Sequence, residues 1–183
     1  MRENTARRKD YDVVQSVELV LDEAAEAEVR RQWELLRAAG LHPPGAGHRP
    51  HITVAVATEI WPRLEKTLER EDFEPLEIRL GGLLVFGSRS PILVRAVVPS
   101  APLLALQHRF FRVVQDCPGI PANIRPDAWT PHITLARRLR SGDLQAALDA
   151  VARDKDLRAT VVGIRRWDGD RRQEWPVAQG REP

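Results

Sequence analysis

Pro50-His51-Ile52-Thr53-Val54-Ala55 recurs as Pro131-His132-Ile133-Thr134-Leu135-Ala136, with the two histidines 81 positions apart. The first four residues are identical and the fifth is apolar in both copies. A spacing this long does not fit a solenoid repeat. It fits a duplicated unit with one copy of the motif in each half. Side chains alternate along a strand, so His and Thr of each copy share one face, while Ile and the following Val or Leu turn into a core. Each strand then presents an imidazole and a hydroxyl about 7 Å apart, the rise of two residues.

That set suits phosphodiester chemistry. One neutral histidine can take a proton from an attacking water and a second, protonated one can give a proton to a leaving alkoxide, because imidazole titrates near neutrality. The threonine hydroxyls can donate to non-bridging phosphate oxygens. No metal is required. His48-x-x-His51 has a ligand-like spacing, but Pro50 argues against a helix there and no carboxylate or cysteine cluster completes a set. We therefore expect no metal and no cofactor.

Outward from the motifs, the chain alternates strands and helices without a regular βαβ rhythm, which points to α+β with mainly antiparallel pairing. Val13 to Leu21 reads as a strand. Asp22 caps a helix whose stripe is Ala25, Val29, Trp33 and Leu36, and Gly40 ends it. His42 to Arg49 is a loop. Ile52 to Ala57 is a strand, and Pro62 opens a short helix. Leu76 to Phe86 and Ile92 to Val98 form a hairpin around Gly87 to Pro91. Ser100 caps a helix bearing Leu103, Leu106, Phe110 and Val113. Cys117 to Asp127 is a loop, Ile133 to Ala136 a strand, and Leu144 to Val151 a helix. Thr160 to Trp167 and Gln173 to Ala178 close the chain as a hairpin.

The bulk numbers are consistent with one domain. The chain has 183 residues, 43% of them hydrophobic and 30% charged, which supports one sizeable core. Residues 1–10 read as a tail and 11–183 as a single unit. The net charge is +2, which is not the balance of a protein that coats nucleic acid. Of the 28 basic residues 25 are arginine, suited to phosphate, although a GC-rich coding bias gives the same total. The single cysteine, Cys117, excludes an intrachain disulfide and fits a reducing, cytoplasmic setting. No signal peptide or membrane-length apolar run is visible.

The paired His-x-Thr motifs resemble those of the 2H phosphoesterase superfamily, and within it the 2′-5′ RNA ligase and RNA 2′,3′-cyclic phosphodiesterase branch. Thr130-Pro131-His132-Ile133-Thr134-Leu135-Ala136-Arg137 is the closest stretch. Leu83 to Val98, with Phe86-Gly87, resembles that family's central hairpin. The resemblance implies a bilobal, pseudo-two-fold fold with a cleft between two mainly antiparallel sheets. It implies hydrolysis of a 2′,3′-cyclic phosphate on RNA ends or nucleotides to a 2′-phosphate, with reversible 2′-5′ ligation in some members. His51 would then be the proton donor and His132 the base, with Thr53 and Thr134 as catalytic partners; the residues alone leave the two histidine roles interchangeable. Arg137 resembles a phosphate-contacting arginine, although strict alternation puts it on the Ile133 face unless the strand ends there. Val54 to Thr58 departs from the family's usual Phe-Leu-Gly continuation.

Trp129 is placed to stack on a base at the cleft mouth. Arg95 is expected on an exposed face, and Arg165 and Arg166 on a solvated rim. Trp167 and Trp175 are expected to pack the last hairpin, and His42, His48 and His108 to do no chemistry. A monomer is expected. The alternatives are a nucleotide- or RNA-binding module that uses the same cleft without turnover, and an enzyme for another cyclic phosphate or 2′-5′ linkage.

Overall fold

The computed structural model describes residues 14–45, 47–87, 91–140, 142–152 and 157–180. The expected tail at residues 1–10 and most of the 87–91 turn lie outside them. The described elements are β1 (Gln15–Leu21), α1 (Glu23–Ala38), β2 (His51–Ala57), α2 (Glu65–Glu69), β3 (Leu76–Phe86) and β4 (Ile92–Val97), then α3 (Ala101–Val114), β5 (His132–Ala136), α4 (Asp143–Val151), β6 (Leu157–Asp168) and β7 (Gln173–Gln179). Short 3₁₀ turns lead into α2 and fill the loop before β5.

Local chemistry sets the helix ends. The Asp22 carboxylate accepts from Ala25 N at 2.9 Å and from Thr160 N at 2.5 Å, so it both caps α1 and ties it to β6. At the other end Gly40 has φ +79°. Its N–H reaches Arg37 O, and that of Leu41 reaches Leu36 O, both at 3.0 Å, which is the Schellman arrangement. Ser100 caps α3 through Leu103 N.

The strands form one sheet, where two were expected from the resemblance. Its order is β2-β1-β6-β3-β4-β5, with β7 pairing β6, and all the pairs are antiparallel. The two halves join because β3 and β6 are long enough to serve both. Leu76 to Leu80 pairs with Val161 to Leu157. Beyond that stretch β3 turns to β4 and β6 turns to β1. The register breaks between Leu80 and Leu83, across Gly81-Gly82, and between Val20 and Leu21; irregularities of this kind re-aim strands.

The order reads the same from either end: β2-β1-β6 in one half, β5-β4-β3 in the other. Thr53 lies opposite Glu18 as Thr134 lies opposite Val94, and His51 opposite Val20 as His132 opposite Ala96. The outermost strands β2 and β5 approach each other, and the helices span both halves. α1 packs on β5 and β6, and α3 on β2 and β3. Ile52, Val54, Ile133 and Leu135 are fully buried with Leu19, Val29, Leu36, Leu103 and Phe110. The histidine faces of β2 and β5 are left clear of that core.

Candidate active site

His51 and His132 each open a strand, after a proline that keeps the approach extended. In both, Nδ1 lies on the carbonyl two residues back: Arg49 O at 2.8 Å and Thr130 O at 2.7 Å. A carbonyl only accepts, so each Nδ1 carries the hydrogen and each Nε2 is left as the working nitrogen. The same anchor, built twice, fixes tautomer and ring orientation on both strands.

His51 and Thr134, one from each motif, line a shared cleft with Trp33, His48, Arg49 and Arg137. The charges of His51 and Arg137 both bear on His132. β5 ends at Ala136 and Arg138 has φ +58°. Arg137 therefore escapes the strand alternation and reaches the cleft wall. A larger hollow of about 460 Å³ lies elsewhere, among Asp22, Glu77, Arg79, Ser100 and Arg158. It holds no histidine or cysteine and is lined by both signs of charge, so the chemistry points to the cleft.

The two histidines differ in surroundings. Burial disfavours the charged form of the His132 ring. The Thr130 carbonyl opposes this, the His51 and Arg137 charges reinforce it, and the ring ends below the ordinary imidazole pKa. The Phe86 ring stands edge-on to it at 4.9 Å. His51 instead has a carboxylate beneath it: Glu18 Oε1 lies 3.5 Å from Nε2. Glu18 is 3% exposed and receives Ser16 Oγ at 2.7 Å and Arg165 Nε at 2.9 Å. Burial would raise its pKa, but the His51 and Arg165 charges with these hydrogen bonds outweigh it, and Glu18 is held below the usual carboxylate value. Arg165 also binds Glu174. Burial, with Arg137 and His51 nearby, lowers His48 as well.

Two tryptophans clamp the motif strands. Trp33 Nε1, on α1, donates to Thr134 O, and Trp129 Nε1 donates to Thr53 O, both at 3.0 Å. Trp129 is 8% exposed. A ring packed this way braces β2 and has no free face for a base, which corrects the expected stacking role. Arg95 is also buried, bonded to Gln32, Gly81 O and Val151 O rather than exposed. Arg165 and Arg166 are buried too, held by Glu18 and Glu174 and by Glu65 respectively. Trp175 packs under Arg166 as expected of the last hairpin, while Trp167 stands 6.2 Å from the His48 ring beside the cleft.

Residues 22–173 match the model of the 2′-5′ RNA ligase superfamily. The chain belongs to that superfamily. Among solved structures it is similar to Escherichia coli LigT in apo form, with 18% identity and a TM-score of 0.59 over 89% of this chain and 93% of that one. It is similar to TT0787 of Thermus thermophilus, at 22% identity and TM-score 0.58 over 84% and 86%. Kluyveromyces marxianus Usb1 gives 11% and 0.51 over 91% and 98%. At these identities the likeness is one of fold. No curated protein sequence matches the chain significantly.

Members of the superfamily are two-histidine phosphoesterases, and this chain holds both His-x-Thr motifs in the family's fold. Of the residues singled out from the sequence, His51, Thr134 and Arg137 line the cleft, while Thr53 and His132 are not among its lining residues. Sequence reading missed Glu18, whose signal was a lone carboxylate inside the apolar alternation Val17-Glu18-Leu19-Val20-Leu21, and His48, which lines the cleft. Among the described residues no group of three metal-ligating side chains converges, and no helix is long and apolar enough to cross a membrane.

Proposed function

We propose that this protein is a metal-independent phosphodiesterase that hydrolyses a 2′,3′-cyclic phosphate, on a nucleotide or an RNA end, to a 2′-phosphate. The observation that carries the reading is the duplicated anchor: two imidazoles, each held by Nδ1 on a backbone carbonyl, on the two outermost strands where these approach each other, with His51 lining the cleft and its charge bearing on His132. Water attacks phosphorus and its proton passes to Nε2 of His132, the ring that burial keeps neutral. The bond from phosphorus to the 3′ oxygen breaks, and Nε2–H of His51 supplies the proton that makes the 3′ hydroxyl. Thr53, Thr134 and Arg137 hold the phosphate oxygens, where hydroxyl and guanidinium donors meet charge as it develops. With the 5′ hydroxyl of a second RNA end in place of water, the same site supports 2′-5′ ligation. In support, E. coli LigT has been solved with 3′-AMP and with ATP, and the Kluyveromyces protein with uridine monophosphate.

The test is hydrolysis of a 2′,3′-cyclic mononucleotide and of a short cyclic-ended RNA in EDTA. The wild type is expected to release a 2′-phosphate. His51→Ala and His132→Ala should each lower kcat by about 10²–10⁴-fold. An inert wild type that still binds both compounds would make the cleft a binding module. Activity that survives either substitution would refute the site assignment.

A further inference from the structure

We infer that Glu18 is a positioning residue for His51: its buried carboxylate, fixed by Ser16 and Arg165 at 3.5 Å from Nε2, stabilises the imidazolium form of His51 and so makes it the acid of the pair. This rests on the two-histidine reading above and says why two near-equivalent histidines take unequal roles.

The argument comes from comparing the halves. Glu18 lies between Thr53 on β2 and Arg165 on β6. The matching position in the other half is Val94, between Thr134 on β5 and Leu84 on β3. The same position is thus filled once by a buried valine, Val94, beside the exposed Leu84, and once by a buried carboxylate beside a buried guanidinium. Val94 shows that the fold does not demand a carboxylate at this position, and taking two charges out of water is unfavourable before their attraction is counted. The charged half also carries β7 against Arg165, and it sets its carboxylate 3.5 Å from His51 Nε2.

The charges around the ring are balanced to leave Glu18 facing it. Arg165 is shared with Glu174 of β7. Arg49, before β2, is paired with Glu26 of α1 at 2.7 Å. His48, and Arg137 and His132 from the β5 side, add only cationic or neutral groups. Arg165 Nη2 comes within 3.5 Å of His51 Nδ1; both nitrogens bear hydrogens, so no hydrogen bond forms, and the repulsion of its charge is offset by its pairing with both Glu18 and Glu174. At 3.5 Å the carboxylate is close enough to stabilise an imidazolium and too far to take Nε2–H into a tight hydrogen bond. The proton stays available to a leaving oxygen.

The experiment compares wild type, Glu18→Gln, Glu18→Asp and the double substitution Glu18→Val with Arg165→Leu, which installs the other half's pair, leaves no buried charge orphaned and frees only the solvent-facing Glu174 if the single variant fails to fold. Two readouts are taken: kcat for a 2′,3′-cyclic mononucleotide against pH, and the pH at which the His51 ring resonances change by NMR. Without the carboxylate, the alkaline limb of kcat should move down by roughly one pH unit. KM should stay within about twofold and the rate at the acid end should approach wild type, with Glu18→Asp intermediate. The His51 resonances should move in the same direction. A merely structural Glu18 would lower the rate by one factor at every pH and leave the ring resonances where they were; either result overturns the inference. The NMR arm needs no turnover. A wild type inert on cyclic phosphates, with the Glu18–His51 coupling intact, would therefore sink the phosphodiesterase reading and not this one.

Discussion

Replacing Trp129 by Phe removes one hydrogen bond and keeps most of the apolar ring. The indole donates to Thr53 O from a nearly closed environment. β2 is the outermost strand of its half, so on that side no neighbouring strand offers a replacement donor. An acceptor left unsatisfied when buried costs about 1–3 kcal/mol, against about 1 kcal/mol for the net worth of an ordinary hydrogen bond. For a domain of this length that corresponds to a fall in Tm of about 2–12 °C. The catalytic effect should follow from position: Thr53 and His51 sit on the strand that loses its brace, so kcat should fall with little change in KM. Thermal unfolding and steady-state kinetics on a cyclic nucleotide, read on the same preparations, test both halves of the claim. A variant with wild-type Tm and a raised KM would refute the clamp and restore Trp129 as a base-stacking residue.

Acid should destabilise the fold. His48 and His132 have pKa values below the ordinary imidazole value in the native state, chiefly through burial. The unfolded chain therefore binds more protons, and stability is lost as the pH falls from about 6.5 through the lowered native values. Urea melts between about pH 7.5 and 5.5 should show the loss, and His132→Asn should flatten it. For the same reason the acid limb of kcat/KM, where His132 takes a proton and stops acting as base, should lie below about pH 6.5. Gly119 adopts φ +72°, and a Cβ there would stand 1.9 Å from Thr58 Oγ1 and 2.9 Å from its Cβ. Gly119→Ala should cost at least about 2 kcal/mol, from backbone strain and the clash together, and lower Tm by about 4–8 °C; an unchanged melt would mean the Thr58 turn is free to move.

The motif residues were legible because two identical tetrapeptides in strand context fix a face as well as a position. The caps at Asp22 and Ser100 and the glycine stop at Gly40 were legible for a local reason: each rests on contacts within a few residues. The single sheet was not. A strand reading of Leu76 to Phe86 says that it pairs, and nothing in its alternation says that its two ends pair with different strands. The buried arginines were missed because an arginine on a strand reads as exposed. Arg165 and Arg166 are adjacent and point to opposite faces, yet each meets a carboxylate distant in sequence, Glu18 and Glu65. Partners 147 and 101 residues away leave no mark that periodicity can detect.

The palindromic strand order has one more consequence. A unit of strand, strand, helix and strand, such as β3-β4-α3-β5, cannot cover its own helix, because α3 also rests on β2 of the other half. Two separate copies could supply that cover by pairing as a homodimer, and the cleft would then lie on a true two-fold axis. Such a dimer would have interchangeable histidines, since any residue placed behind one would stand behind the other as well. Carrying both units in one polypeptide lifts that constraint. Only then can a charge stand at position 18 while a valine stands at position 94.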